Sequence, residues 1–199
     1  MISDGRGRCS VRNLVLIAVV VALLAGCGKE PTFHGKNVAQ WREQLREGDV
    51  PARREAALAL WSIGPRAGEA LDDLIECLND ADAEVRMNSA GALGGIGPEA
   101  AEAAPELADA LGDESAEVRD AAAQALGRVK ATAPEAIAAL AVALKDKEPA
   151  VRIRAAYALA ELGTIAADAE PALRDALGDP DGEFHGAVVW ALSKVAPEK

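Results

Sequence analysis

The sequence predicts an all-α solenoid, in which antiparallel pairs of helices stack on one another in chain order. A motif of 33 residues repeats from about residue 37 to the end of the chain. Two independent sets recur at this interval, arginines at one position and leucines at another: Arg53, Arg86, Arg119 and Arg152, and Leu60, Leu93, Leu126, Leu159 and Leu192. Such recurrence is typical of repeat units that bury their apolar faces against their neighbours.

Each repeat is predicted to contain two amphipathic helices. In the third repeat the apolar residues fall at the i, i+3, i+4, i+7 spacing of two successive helices: Leu107, Ala110 and Leu111, then Val118, Ala122, Ala125, Leu126 and Val129. Helices this short are marginal alone, so each must pack on its neighbours. We therefore expect a right-handed α-solenoid of five stacked antiparallel helix pairs over residues 37–199.

Turn residues support these boundaries. Gly64, Gly97 and Gly163 fall where the second helix of a pair should end, a position that favours positive φ. Aspartates recur between the two helices of a pair, at Asp80, Asp113, Asp146 and Asp179. No stretch alternates apolar and polar residues over strand length, so no strands are predicted.

The repeated Arg and Asp invite a catalytic interpretation, but a catalytic pair is needed once and not in every repeat. We therefore expect each Arg to bridge to turn carboxylates or helix carbonyls of the next repeat, as a structural ladder. His185 stands at the arginine position of the last repeat, which has no further neighbour to bridge.

The repeats of this chain share an Asp at the turn and four short motifs: Val-Arg, Ala-Ala, Ala-Leu and Ile-Gly-Pro. This pattern resembles the short HEAT-like repeats that also occur in phycobilisome lyases. Ankyrin and tetratricopeptide repeats have similar periods, but their characteristic motifs are missing. The resemblance covers residues 37–196. It implies that the second helices line a concave surface, and it raises a lyase-like enzyme acting on a pigment or cofactor as an alternative function.

The N-terminus resembles an export signal. Arg6, Arg8 and Arg12 precede an apolar run, Leu14–Leu24, that is too short to span a bilayer. We assign 1–26 to a cleaved signal peptide, 27–36 to a lipidated cysteine with a flexible tether, and 37–199 to the repeat domain.

The residues Leu24-Ala25-Gly26-Cys27 resemble the lipobox of bacterial lipoproteins. The resemblance implies diacylglyceryl transfer to the Cys27 sulfur, cleavage before Cys27 and acylation of its new amino group. It implies a lipid-anchored protein of the cell envelope, at the outer membrane facing the periplasm if the host is Gram-negative. The alternative is an ordinary secretory signal cleaved nearby.

Composition argues against several functions. The net charge is −11, and removal of the segment before Cys27, with three arginines and one aspartate, leaves −13. An acidic surface disfavours nucleic acid, whose binding needs Lys and Arg. After cleavage only His34, His185 and Cys77 remain as soft metal ligands, so no metal or cofactor site is expected. No nucleophile with an adjacent base is recognisable, and the protein is expected not to be an enzyme.

Positions that vary between repeats are candidates for binding a partner. Along the second helix these lie on one face, and from them we select Trp61, Met87, Gln124, Arg128, Tyr157 and Trp190. We expect a concave groove with an aromatic wall at Tyr157 and Trp190 and a glycine floor at Gly91, Gly94 and Gly95. The alternative is that the tryptophans merely cover the ends of an Ala-rich stack.

These features together predict a membrane-anchored scaffold that binds a protein or peptide partner in the cell envelope. The alternatives are the lyase-like enzyme and a structural accessory domain without a defined ligand.

Overall fold

The computed structural model describes residues 32–197. A hairpin of β1 (Thr32–Phe33) and β2 (Lys36–Asn37) comes first. The helices follow as α1 (Val38–Glu47), α2 (Val50–Ile63), α3 (Leu71–Glu76), α4 (Ala83–Ile96), α5 (Ala104–Ala110), α6 (Ala116–Arg128), α7 (Pro134–Ala143), α8 (Pro149–Leu162), α9 (Glu170–Ala176) and α10 (Gly182–Val195). Short 3₁₀ segments flank some helices, at Gly64–Ala70, Cys77–Asn79, Pro98–Ala103 and Gly163–Ala169.

The even-numbered helices are the longer ones, and they pack against one another in chain order. Each odd-numbered helix packs on the long helix that follows it. Contacts therefore run mainly between neighbours in sequence, which confirms the predicted helical-repeat solenoid. Within residues 32–197, no helix combines the length and apolar composition that crossing a bilayer requires.

A polar side-chain cap stabilises the start of four of the five long helices, and α8 is the exception. The Asp82 side chain accepts hydrogen bonds from the backbone N–H groups of Glu84 and Val85, and Asp49, Ser115 and Asp181 cap α2, α6 and α10 in the same way. These caps satisfy N–H groups that have no partner inside the helix.

The ends of the long helices follow the glycine prediction. Gly64, Gly97 and Gly163 have φ of 67°, 83° and 60°, as predicted. Lys130 occupies the equivalent position after α6 and also has positive φ, 58°. Its N–H bonds to the Gly127 carbonyl and the next N–H bonds to Leu126, so this helix closes without glycine.

The core consists mainly of leucine and alanine. The recurring Leu60, Leu93, Leu126 and Leu159 have no exposed surface. The alanines three residues before these leucines are also fully buried: Ala57, Ala90, Ala123 and Ala156. Because alanine buries little area, stability depends on the sum of many interfaces between neighbouring helices.

The N-terminal hairpin differs from the prediction. Residues 32–36 were assigned to a flexible tether, whereas Phe33 packs against the core and its carbonyl accepts a hydrogen bond from Trp41 Nε1 at 3.3 Å. The Lys36 ammonium lies 4.3 Å from the centroid of the Trp41 ring. The folded region therefore starts before residue 37. The predicted signal peptide, Cys27 and the rest of the tether lie outside the described residues.

The predicted ladder is present, and we call its members the Arg–Asp rungs. Arg86 Nε and Nη2 bond Asp113 at 2.7 and 2.8 Å, and Arg119 bonds Asp146 at 2.7 and 2.9 Å. Arg53 bonds Asp80 in the same way. Each arginine also donates to a backbone carbonyl in the turn that precedes its own helix. Each rung thus joins two consecutive repeats.

The rungs also lower the pKa of their carboxylates. Hydrogen bonds from Arg119 lower the pKa of Asp146 below its ordinary value, against the opposing effect of burial. For Asp113, burial alone would raise the pKa, but the bonds from Arg86 and the Ser115 N–H lower it overall. The Arg119 and Asp146 side chains are only 6% and 11% exposed, so the central pairs are largely removed from water.

The last rung is different. Arg152 lies 3.7 Å from Asp179 and 3.8 Å from Asp181, too far for a good hydrogen bond. Its Nε atom is buried without a hydrogen-bond partner, and its guanidinium carbon lies 5.3 Å from the centroid of the Phe184 ring. Phe184 replaces the valine found at the equivalent positions in the three preceding repeats. The guanidinium thus lies beside the larger ring and outside hydrogen-bond distance of both aspartates.

Candidate partner-binding face

The long helices share an outward side that carries Leu58, Gln124, Tyr157 and Trp190, which we call the second-helix face. Leu58, Tyr157 and Trp190 are exposed there, at 46%, 39% and 42%. Single apolar side chains are exposed elsewhere too, at Val142 and Ile165, but the aromatic ones on this face are of the type that anchors a partner.

A cavity of about 510 Å³ opens on the second-helix face. The structure places three of the predicted site residues in its wall: Trp61, Met87 and Gln124. The remaining wall comes from the N-terminal parts of α6 and α8 and from the residue that precedes α8: Ala116, Glu117, Asp120, Ala121, Glu148, Ala150, Val151 and Arg154. The cavity therefore spans the middle of the stack, from α2 to α8.

The charged groups of the cavity differ in their partners. Asp120 is paired with Arg154, with 3.1 Å between Oδ1 and Nε. Glu117 accepts a hydrogen bond from the Ser115 hydroxyl at 2.7 Å, which lowers the pKa of Glu117. Glu117 and Glu148 are exposed, so both remain accessible to a cationic partner.

Tyr157 and Trp190, the residues of the predicted aromatic wall, pack against each other. The rings of Tyr157 and Trp190 meet edge to face, with their centroids 5.5 Å apart and an interplanar angle of 67°. This geometry is favourable for aromatic pairs. The two side chains do not line the cavity, so the structure divides the predicted residues between two places on the long helices.

The predicted glycine floor is wrong, because Trp61 covers it. A Cβ atom added to Gly91 would lie 2.8 Å from the Trp61 ring, and one added to Gly95 would lie 3.4 Å from it. A Cβ on Gly94 would lie 3.0 Å from the Ala125 Cα. These glycines let a ring and a neighbouring helix approach closely.

Arg128 is exposed but is not part of the cavity wall. Its aliphatic Cδ lies near Gly94, where an added Cβ would be 3.6 Å away. Nothing in its contacts distinguishes it as a binding residue.

Sequence reasoning missed the charged part of the cavity, Glu117, Asp120, Glu148 and Arg154. Glu117 and Glu148 precede the repeated arginine at the start of their helices, whereas Asp120 and Arg154 follow it by one and two residues. A signal was available, since residues at −2, +2 and +5 from that arginine share one helical face, and the +2 position varies freely between repeats.

His, Cys, Asp and Glu are the residues that could support metal or thiol chemistry. Among residues 32–197, no cluster of three or more His, Cys, Asp or Glu could hold a metal ion. Cys77 is half-buried, and burial raises its pKa to about 11. Its thiol is therefore protonated at neutral pH and a poor nucleophile.

The fold and its rungs define the class of protein, an α-helical repeat solenoid. A sequence profile for HEAT repeats matches residues 38–127, 71–160 and 142–199. The chain belongs to the HEAT-repeat family.

Solved structures support this assignment. The complex of CpcE and CpcF of phycocyanin lyase from Nostoc sp. PCC7120 contains a chain similar to this one, with TM-score 0.69 and 26% identity, covering 87% of this chain and 71% of that chain. An engineered protein is similar with TM-score 0.65 and 26% identity, covering 79% and 78%. No curated protein was found to match the chain.

A designed armadillo repeat protein in complex with the peptide (KR)4 is also similar, with TM-score 0.67 and 21% identity, covering 79% of this chain and 81% of that chain. At this identity the likeness concerns the fold alone.

Proposed function

We propose that the protein is a membrane-anchored scaffold of the bacterial cell envelope that binds a protein or peptide partner on its second-helix face. Its helices are best described as five stacked antiparallel pairs with a right-handed twist, and it performs no catalysis.

The observation that carries the binding proposal is the placement of exposed aromatic residues beside a cavity on one side of the long helices. Tyr157 and Trp190 are large, partly exposed and already packed together, so binding would cost little side-chain entropy. Aromatic residues supply much of the binding energy at protein interfaces. The similar designed armadillo protein is in complex with a peptide, which supports this use of the fold.

The anchoring proposal is supported by the sequence before the folded region. A basic segment, a short apolar run and the small residues before Cys27 resemble a lipoprotein signal. The acidic charge of the chain disfavours adsorption to anionic lipid, so attachment would depend on the acyl chains.

The binding proposal is tested by chemical cross-linking in intact cells, with mass spectrometry to identify the partner, followed by substitution. Replacing Tyr157 and Trp190 by Ala should abolish the cross-link without lowering the unfolding midpoint. The control replaces Val142 and Ile165, exposed on α7 and the segment before α9, by Ala. Cross-linking that survives the Tyr157/Trp190 change would contradict the proposal.

The anchoring proposal is tested by metabolic labelling with a fatty-acid analogue. The wild-type chain should carry the label and sediment with membranes, whereas Cys27→Ala should lose the label. Cys77→Ala is the matched control and should keep it. An unlabelled wild-type chain would exclude lipidation.

A second candidate, a lyase-like protein acting on a pigment or cofactor, is favoured by the similarity to the phycocyanin lyase complex. It predicts a change in the absorption spectrum of a bilin on addition of the protein. A purely structural accessory role predicts neither that change nor a specific cross-link.

A further inference from the structure

The cavity on the second-helix face combines an apolar wall with an acidic rim. Trp61, Met87 and several alanines form the apolar part, and Glu117 and Glu148 flank it. Within residues 32–197 neither glutamate takes part in an ion pair, whereas Asp120 is neutralised by Arg154. Both lie in the electrostatic field of the Arg119 guanidinium, but among the described residues no cation is within ion-pair distance of either, so the rim of the cavity remains acidic.

The Trp61 ring provides a second, independent feature. Gly91 and Gly95 lie against this ring, which fixes it in place on α4. The ring nevertheless remains partly exposed and lines the cavity. An indole face available in this way attracts ammonium and guanidinium groups as well as apolar side chains.

We propose that this cavity binds a basic peptide segment, in which a Lys or Arg side chain is flanked by apolar residues. The proposal rests on the scaffold function and specifies the class of partner. The cationic group lies between the Trp61 ring and the carboxylates of Glu117 and Glu148, while the neighbouring apolar side chains contact Met87, Ala116 and Ala150.

Size and charge favour this occupant. A volume of about 510 Å³ lies within the range of sites that take a drug-sized group, and so accommodates a few side chains but no folded domain. The whole chain carries −11, so its field attracts cationic segments and repels acidic ones.

Binding is measured by fluorescence anisotropy with the full chain in nanodiscs of zwitterionic lipid, with empty nanodiscs in parallel. The probe is a labelled ten-residue peptide of alternating Arg and Val. Two further peptides replace Arg by Glu or Val by Ser. We expect the Arg–Val peptide to bind tightest and its affinity to fall with salt. Equal or tighter binding of the Glu–Val peptide would overturn the proposal.

Matched substitutions distinguish the cavity from general attraction to an acidic protein. Ala150→Lys places a cation in the cavity wall, and Ala138→Lys adds the same charge at an exposed position of α7. We expect Ala150→Lys to weaken Arg–Val binding about tenfold and Ala138→Lys to change it less than about twofold. Equal effects would show that only overall charge matters, and would overturn the proposal.

The glutamates are tested in the same way. The double variant Glu117→Gln, Glu148→Gln should weaken binding of the Arg–Val peptide. The control is Glu102→Gln, Glu135→Gln, which changes the charge by the same amount at two exposed positions outside the long helices. It should weaken binding less. Equal weakening by the two pairs would contradict the assigned role of these carboxylates.

Failure of this inference differs from failure of the scaffold function. A cellular partner that cross-links to the second-helix face through an acidic or neutral segment would overturn this inference but would still support the scaffold function. Absence of any cross-link to this face, with no peptide bound, would overturn both.

Discussion

The middle of the repeat stack and its C-terminal end use the same sequence pattern but differ in packing. In the middle, Arg119 forms two short hydrogen bonds with Asp146, while at the end Arg152 lies 3.7 Å from Asp179. The buried alanine position of the earlier repeats becomes Val189 in the last, with 49% of its surface exposed. A repeated motif thus fixes the fold of each unit, but the strength of each junction depends on the residues around it.

The difference at the last rung has a local cause. One hydrogen bond of the turn is the same in both repeats, since Asp146 and Asp179 each accept from the N–H two residues later. The residues around it change: Pro180 and Asp181 replace Lys147 and Glu148, and Phe184 stands where the preceding repeat has Val151. The aromatic ring attracts the guanidinium and keeps it from the carboxylate.

The largest expected effect comes from removing a central arginine. Arg119→Met should lower the free energy of unfolding by about 3 kcal/mol, because it leaves Asp146 without its cationic partner in a largely buried site. Arg152→Met should cost less, about 1–2 kcal/mol, since Arg152 has no carboxylate within hydrogen-bond distance and keeps only its bond to the Asp146 carbonyl at 3.1 Å. Urea unfolding followed by circular dichroism measures both. Equal losses would show that the rung geometry does not determine stability.

The glycines give a second comparison between the two regions. Gly91→Ala should destabilise the protein by about 1–2 kcal/mol, because the new methyl group overlaps the Trp61 ring. Gly186→Ala, inside α10 with no atom within 4 Å of the added Cβ, should stabilise it by about 0.5–1 kcal/mol. Thermal unfolding of the two variants provides the measurement. A stabilised Gly91→Ala variant would contradict the close approach.

A double-mutant cycle tests the role of Phe184. Phe184→Val should let Arg152 reach Asp179, so that removing Arg152 costs about 1 kcal/mol more in this background than in the wild type. The comparison uses the free energies of unfolding of the four proteins. A coupling energy of zero would mean that the ring does not displace the guanidinium.

The smallest expected effect is a dependence on pH. The pKa of Asp146 is lower in the folded chain than in the unfolded one, so its ion pair stabilises the fold above the ordinary aspartate pKa of about 4. This stabilisation disappears as the pH falls through the folded-state value. Asp146→Asn should therefore show a shallower loss of stability than the wild type as the pH falls below about 4. Parallel curves would contradict the assigned shift.

Much of the fold could be predicted from the sequence, because it depends on local periodicity. The recurring arginines and aspartates predicted the rungs, and the glycines predicted the helix ends with positive φ. The hairpin could not be predicted in this way, since strands of two residues are too short to show alternation. It depends instead on the contact of Phe33 with Trp41.

The candidate site was harder to predict because it depends on contacts between repeats. The sequence shows that Trp61 and Gly91 vary from the pattern, but it does not show that one packs on the other. Likewise, Glu117 and Glu148 come together at one cavity only when α6 and α8 stack. Residues that share a face within a helix could be recognised, whereas neighbours across a junction could not.

Site-specific photo-cross-linking in intact cells tests the role of the second-helix face most directly. A photoreactive residue replaces Gln124, which lines the cavity, or Val142, which is exposed on the opposite layer. We expect the photoreactive residue to capture a partner when it stands at position 124 and none when it stands at position 142. A partner captured only from position 142, or equally from both positions, would contradict it.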